Sequence, residues 1–295
     1  MKKSSRILVL NFRRWRGNLN IIIPFLLAFV CILMLCSRIV GFIRENDYTI
    51  NLFEIFVCIF NDQYSIVLTS VLIIALFHNV PEMDSSVPYY LVRTDCKRWL
   101  FGQILYIVIV CFVCILFVIA SSIASSVDIM YLKDIWSNFV FTLSYSSLSE
   151  IINIDKFKDT MSFGTPSFTA LRMLILIYLY YLTLSLIILN FNLRKGTRKG
   201  SLAGVVFSVF GILMSPATIA GIFGLKEMTM YKANVAMSWI SPLNHATYNM
   251  HNFGYDMRPR IWHSYIVFII LIVFLVFMAF RNIRNYEFDF SDRRD

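Results

Sequence analysis

Six stretches of this chain carry no charge in their middle and come close to the ~20 residues that a helix needs to cross a hydrocarbon layer. They are residues 20–37, 64–80, 104–127, 171–193, 201–225 and 261–280. A chain that is 58% apolar and 15% charged could also be a soluble protein with an oversized core. Such a protein interrupts its helices with surface residues every few positions, and these runs are not interrupted. The run lengths therefore predict an all-α polytopic membrane protein, one transmembrane domain over residues 1–295 with six transmembrane helices. The first run is too long for the core of a cleaved secretory signal. Its exit, Ser37-Arg38-Ile39-Val40-Gly41-Phe42, offers no small-residue cleavage site.

The formal charge of +9 does not point to nucleic acid, because the basic residues cluster at the ends of the apolar runs. Placing the N-terminus inside puts 17 of the 27 basic residues and 7 of the 18 acids on that side, net +10, and leaves −1 on the other. Every short basic loop then faces the cytoplasm, and both termini are expected there. The six cysteines form no pairing framework. Cys111 and Cys114 make a C-x-x-C inside an apolar run, where thiols act as small apolar packers.

Residues 1–19 hold Lys2, Lys3, Arg6, Arg13, Arg14 and Arg16, with Leu8, Phe12 and Trp15 spaced to share one helical face. A basic amphipathic helix at an anionic leaflet is expected, against a disordered basic tail. Pro24 sits in the first turns of span one, where a missing N–H costs least. Leu52 to Phe60 is apolar but too short to cross, and reads as an interfacial helix or an early turn of span two. The polar loop 81–103 gathers Arg93, Lys97 and Arg98 at its end. Segment 128–168 mixes charges with Trp136, Phe139 and Phe141, which predicts a small structured piece resting on the membrane. Arg194, Lys195, Arg198 and Lys199 form a tight basic turn. Span five differs from the rest in its small residues Gly204, Ser208, Gly211, Gly221 and Gly224, with Ser215-Pro216 in the middle. Small residues four apart permit close helix contact, and the proline bends or unwinds a helix. Gly204 and Ser208 read as packing residues, whereas Pro216 stays open between packing and bending. Segment 226–260 carries Trp239, Ser241-Pro242, His245 and His251.

No span has an ionisable group in its middle, which disfavours a proton-coupled carrier, and no internal repeat is visible. There is no glycine-rich run ending in Gly-Lys-Ser/Thr, no H-E-x-x-H and no G-x-S-x-G. His245, His251 and His263 match no compact metal-ligand spacing, and read as hydrogen-bonding and interfacial residues. No metal or catalytic site is expected. Energy would have to come from outside the chain.

Six runs, a basic N-terminal helix and a charged loop between runs two and three resemble the membrane subunit of ABC-2 type exporters. The likeness extends to a group of bacterial ABC permeases of similar length, carried by four stretches. These are Phe53-Glu54 through Asp62-Gln63-Tyr64-Ser65-Ile66, the loop Pro81 to Pro88, the basic stretch Arg93 to Gly102-Gln103, and Ser241-Pro242-Leu243-Asn244-His245 with Tyr248-Asn249-Met250. The resemblance implies an N-terminal elbow helix and a short cytoplasmic coupling helix in the loop. It also implies a helical exofacial segment before the last span, in the membrane of a bacterial cell. The chain would not be an enzyme and would bind no cofactor. ATP and Mg would sit on a pair of separate ABC ATPase subunits, and a second permease chain, identical or homologous, would complete the path. The ATPase contact would fall on Tyr89, Tyr90, Arg93, Lys97 and Arg98, and a second contact on Arg194, Lys195, Arg198 and Lys199. Gly211, Pro216, Gly221, Ser241 and Pro242 are the gating and path candidates. An uncharged path fits an amphipathic cargo, such as a peptide or a lipid-like compound.

Two other classes of function fit the same features. One is a membrane sensor or immunity protein that binds an envelope-active peptide without transport. The other is an integral membrane enzyme with a site spread over the outer loops.

Overall fold

The computed structural model describes residues 2–81, 95–145, 157–213, 221–222, 224, 230–254 and 256–286. The protein is an all-α multi-pass membrane protein. Four helices are long and apolar enough to cross a membrane: α2 (Leu19–Glu45), α5 (Cys96–Ala124), α8 (Pro166–Lys195) and α12 (Ile261–Asn282). A fifth crossing results if α3 (Glu54–Phe60) and α4 (Gln63–Phe77), which meet at 94°, count as one broken span. Between and around these lie α1 (Lys2–Arg13), α6 (Asn138–Tyr145), α7 (Phe157–Ser162), α9 (Thr197–Leu213), α10 (Met230–Ile240) and α11 (Pro242–Ala246). Strands β1 (Ile50–Asn51) and β2 (Met130–Tyr131) pair in parallel.

The helices overrun the apolar stretches that predict them. α2 continues through Arg38 to Glu45, and α5 begins eight residues before Ile104, at Cys96. A helix satisfies its own backbone, so it does not have to stop where the hydrocarbon layer stops. The polar loop is correspondingly shorter than its sequence suggests, since Trp99, Leu100, Gly102 and Gln103 are buried residues of α5. Pro24 lies inside α2, which starts at Leu19 on an Asn18 cap.

Leu52 to Phe60 forms α3 over its last seven residues, which with α4 make one broken span if the pair is counted together. All seven residues of α3 are buried. The break after it has a local cause: the Asp62 side chain accepts the Tyr64 N–H at 3.1 Å and starts α4 in a new direction.

α8 is the hub. In its apolar window 67% of residues are buried, against 17% for α12 and 22% for α2, so the last two present most of their surface outward. α9 lies close against α8 at two glycines, where an added side chain is blocked at Gly200 and tight at Gly204. A Cβ at Gly200 would sit 1.7 Å from Asn192 Oδ1 and 2.9 Å from the Ile188 carbonyl, and one at Gly204 would meet Ile188 at 3.0 Å. The turn between the two helices passes through Gly196 at φ +89°, a left-handed conformation that glycine adopts without strain.

Candidate functional sites at the two ends of the bundle

Side-chain contacts sort into two groups. The first gathers α1, the end of α4, the start of α5, the α8–α9 turn and the end of α12. Asn11 Nδ2 donates to Gln103 Oε1 at 3.0 Å, and Trp15 Nε1 to the Tyr106 hydroxyl at 2.9 Å. Phe12 packs on both Trp15 and Tyr106. The face shared by Leu8, Phe12 and Trp15 therefore rests on the bundle. Asn192 Nδ2 donates to the carbonyls of His78, at 3.0 Å, and Val80, at 2.6 Å. Asn282 donates to Asn190 Oδ1 at 3.1 Å.

Most of the charged residues expected to make contacts lie at this first end. Lys97 and Arg98 are exposed on the opening turn of α5, with Arg98 3.5 Å from Asp95. Cations at a helix N-terminus oppose the helix dipole, so helix stability does not explain their position. Arg194 and Lys195 close α8, where the dipole favours them, and Arg198 and Lys199 follow on α9. All four are exposed. Lys195 and Lys199 flank an apolar groove of about 530 Å³ lined by Phe191, Leu202, Val206 and Phe210. Tyr89, Tyr90 and Arg93 lie outside the described residues, as does Pro216.

The second end is built from the connections on the other side. Arg44 clasps Asp128 through two bonds, at 2.8 and 2.9 Å, and holds that carboxyl below the usual carboxylate range. Glu54, 1% exposed, accepts the backbone N–H groups of Asn51 at 2.9 Å and Ser137 at 2.6 Å, and so ties α3 to β1 and to the start of α6. Trp136 donates to the Gly164 carbonyl at 2.7 Å and packs edge-on against Phe157. Phe157 belongs to the hydrophobic cluster of the bundle, and Trp136 packs against it.

Ser241 and Pro242 initiate α11. The serine hydroxyl accepts the Asn244 N–H at 3.4 Å, and the proline takes the first helical position. Gly211 is the point where α9 meets this helix, since a Cβ there would lie 2.3 Å from that of Leu243. Gly221 is exposed, with no atom of the described residues within 4 Å of its missing Cβ. Gln63, at the head of α4, donates to Asn244 Oδ1 at 2.6 Å.

His245 and His251 converge on Ser264 in the first turn of α12. His245 Nδ1 is 2.7 Å, and His251 Nε2 2.8 Å, from its hydroxyl. The second nitrogen of each ring meets a backbone carbonyl, Trp239 at 3.1 Å for His245 and Tyr248 at 3.1 Å for His251. Both rings are 1% exposed, and burial pushes His245 below the usual histidine range and His251 down to about 4. His263 does not join them. Its Nδ1 accepts the Arg260 N–H at 3.1 Å, and its ring stacks on Trp262. No group of three His, Cys, Asp or Glu among the described residues is arranged to hold a metal. The serine that joins the two rings had no signal in the sequence, being one hydroxyl beside a long apolar run.

No family model, no curated protein and no solved structure matches this chain.

Proposed function

We propose that this protein is the membrane permease subunit of an ATP-driven exporter in a bacterial cell membrane, with six spans and both termini in the cytoplasm. α9 with the residues that follow it supplies the sixth crossing, and the first end of the bundle faces the cytoplasm. A pair of ABC ATPase subunits carrying ATP and Mg would dock on loop 82–94, with Tyr89, Tyr90 and Arg93, and on the cations beside it. A second permease chain would complete the path for an amphipathic cargo.

One observation carries most of this reading. The described residues on either side of 82–94 are anchored: Asn192 holds Val80, and Trp99 and Leu100 are buried. A shift of Val80 would therefore reach the end of α8 and, through Gly200, α9. An external motor can shift a conformational balance only by binding one state better than the other. Val80 offers it a point of attachment to the hub.

The reading is tested by co-purification from native membranes in mild detergent. The expected result is an ATP-binding cassette protein at about one copy per permease, lost when Tyr89 and Tyr90 are both changed to alanine. Buried aromatics dominate interface energy more than rim charges do. A chain that emerges alone where known transporters stay assembled would overturn the exporter reading and favour a sensor or immunity role.

A further inference from the structure

The His245–Ser264–His251 cluster has four polar contacts and too few hydrogens to make them. Each contact needs one hydrogen between its two heavy atoms. A neutral histidine brings one, and a serine hydroxyl brings one. Two neutral rings and Ser264 therefore supply three hydrogens for four contacts. If His245 gives its N–H to the Trp239 carbonyl and His251 gives its own to the Tyr248 carbonyl, both remaining nitrogens are acceptors. They face a single hydroxyl, at 2.7 and 2.8 Å, and that hydroxyl can serve only one of them. Reversing a tautomer does not help, because it places a bare nitrogen against a carbonyl oxygen instead. Every neutral arrangement leaves one acceptor facing another at hydrogen-bond distance, in a site where all three side chains are at most 1% exposed.

We propose that this cluster is a binding site for one proton, shared by the two imidazoles through Ser264, and that the bound proton clamps α11 and the turn after it onto the first turn of α12. With one added proton, one ring becomes an imidazolium that donates from both nitrogens, Ser264 donates to the other ring, and all four contacts are made. A second proton would place two positive charges on either side of one hydroxyl and leave that hydroxyl's own hydrogen without an acceptor, and is refused.

The surroundings leave the proton to these groups. No carboxylate pairs with either ring among the described residues. The titratable neighbours are His263, on α12, and the Tyr248 phenol, which is buried with no hydrogen-bond partner among the described residues. Arg172, from α8, and Arg260 line a separate groove with Trp262 and Tyr265, and make no hydrogen bond to the cluster. Burial opposes the charge, and the fourth hydrogen bond favours it. A buried acceptor left unmet costs about as much as one to two pH units of proton affinity. The inference does not depend on the exporter reading.

The test is a nitrogen-15 NMR titration of the full-length, histidine-labelled protein in lipid nanodiscs from pH 8 to pH 4. Signals are assigned with single His→Gln variants, and the same titration is run on Ser264→Ala and Ser264→Thr. The expected result is one proton taken up by the His245–His251 pair as a unit. That uptake moves at least about one pH unit lower in Ser264→Ala and returns in Ser264→Thr, which keeps the hydroxyl. Two independent one-proton steps in the unaltered protein would overturn the proposal. So would an uptake that ignores the Ser264→Ala change. Should Ser264→Ala fail to fold, the proton count of the unaltered pair decides alone, one supporting the site and two or none refuting it.

Discussion

At the second end of the bundle, the carboxylates Glu54, Asp128, Asp134 and Asp256 each find a partner within the chain. At the first end, Lys97, Arg194, Lys195, Arg198 and Lys199 are exposed and meet no acid among the described residues. The four carboxylates named at one end are held within the chain, whereas the other end holds a surplus of one charge sign facing outward. Solvent alone would tolerate either arrangement. A concentrated surplus beside a loop anchored to the hub is what docking to an acidic surface, protein or anionic leaflet, would use.

The comparison breaks most readily at the packing of α9 on α8 within the first end. Gly200→Ala places a methyl group where Asn192 and the Ile188 carbonyl already sit. It is expected to cost about 2–3 kcal/mol, read as a clear drop in melting temperature in detergent. Unchanged melting would mean that α8 and α9 are not packed this closely. Glu54→Gln sharpens the picture of the second end. It removes the charge from a buried acceptor of two N–H groups and should cost about 1–3 kcal/mol, with hydrogen exchange rising first at Asn51 and Ser137.

At the first end, replacing Arg194, Lys195, Arg198 and Lys199 with glutamine should leave stability within about 0.5 kcal/mol, because all four are exposed and only Lys195 touches a neighbour among the described residues, the Phe191 ring at 6.0 Å. Association with anionic vesicles or with an ATPase subunit should weaken, and in the unaltered protein it should weaken as salt rises. A large loss of stability in this variant would show that the charges serve the fold after all. The smallest effect belongs to Asp128. Its folded pKa is depressed by Arg44, so its contribution is present above the unfolded carboxylate range and is lost as pH falls through the lower folded value. Both partners are exposed, so Arg44→Gln should blunt that acid sensitivity while barely moving the neutral-pH melting temperature.

Much of the architecture was legible in residue order. Uninterrupted apolar runs located α2, α5, α8 and α12, and the spacing of Leu8, Phe12 and Trp15 gave the buried face of α1. The polar step Asn61-Asp62-Gln63 marked a boundary between two apolar segments, but only the folded chain showed a 94° turn there, with Asp62 as the cap. Gly200 fell outside the predicted span because it belongs to the basic turn by sequence and to the α8 interface by packing. The polar pairings were beyond periodicity altogether. Gln63 and Asn244 are 181 positions apart, and Asn192 and Val80 are 112 apart, so only the folded bundle brings them together.

Cys96 offers the most direct test of the claim that the first end faces the cytoplasm and receives a partner. It is the exposed cysteine at the head of α5, next to Lys97 and Arg98, whereas Cys36, Cys58, Cys111 and Cys114 are buried. A membrane-impermeant maleimide applied to a variant carrying Cys96 and serine at the other five cysteine positions should leave intact cells unlabelled. It should react in inside-out vesicles, and addition of the ATPase subunit should shield the thiol. Labelling in intact cells would invert the topology and contradict the account.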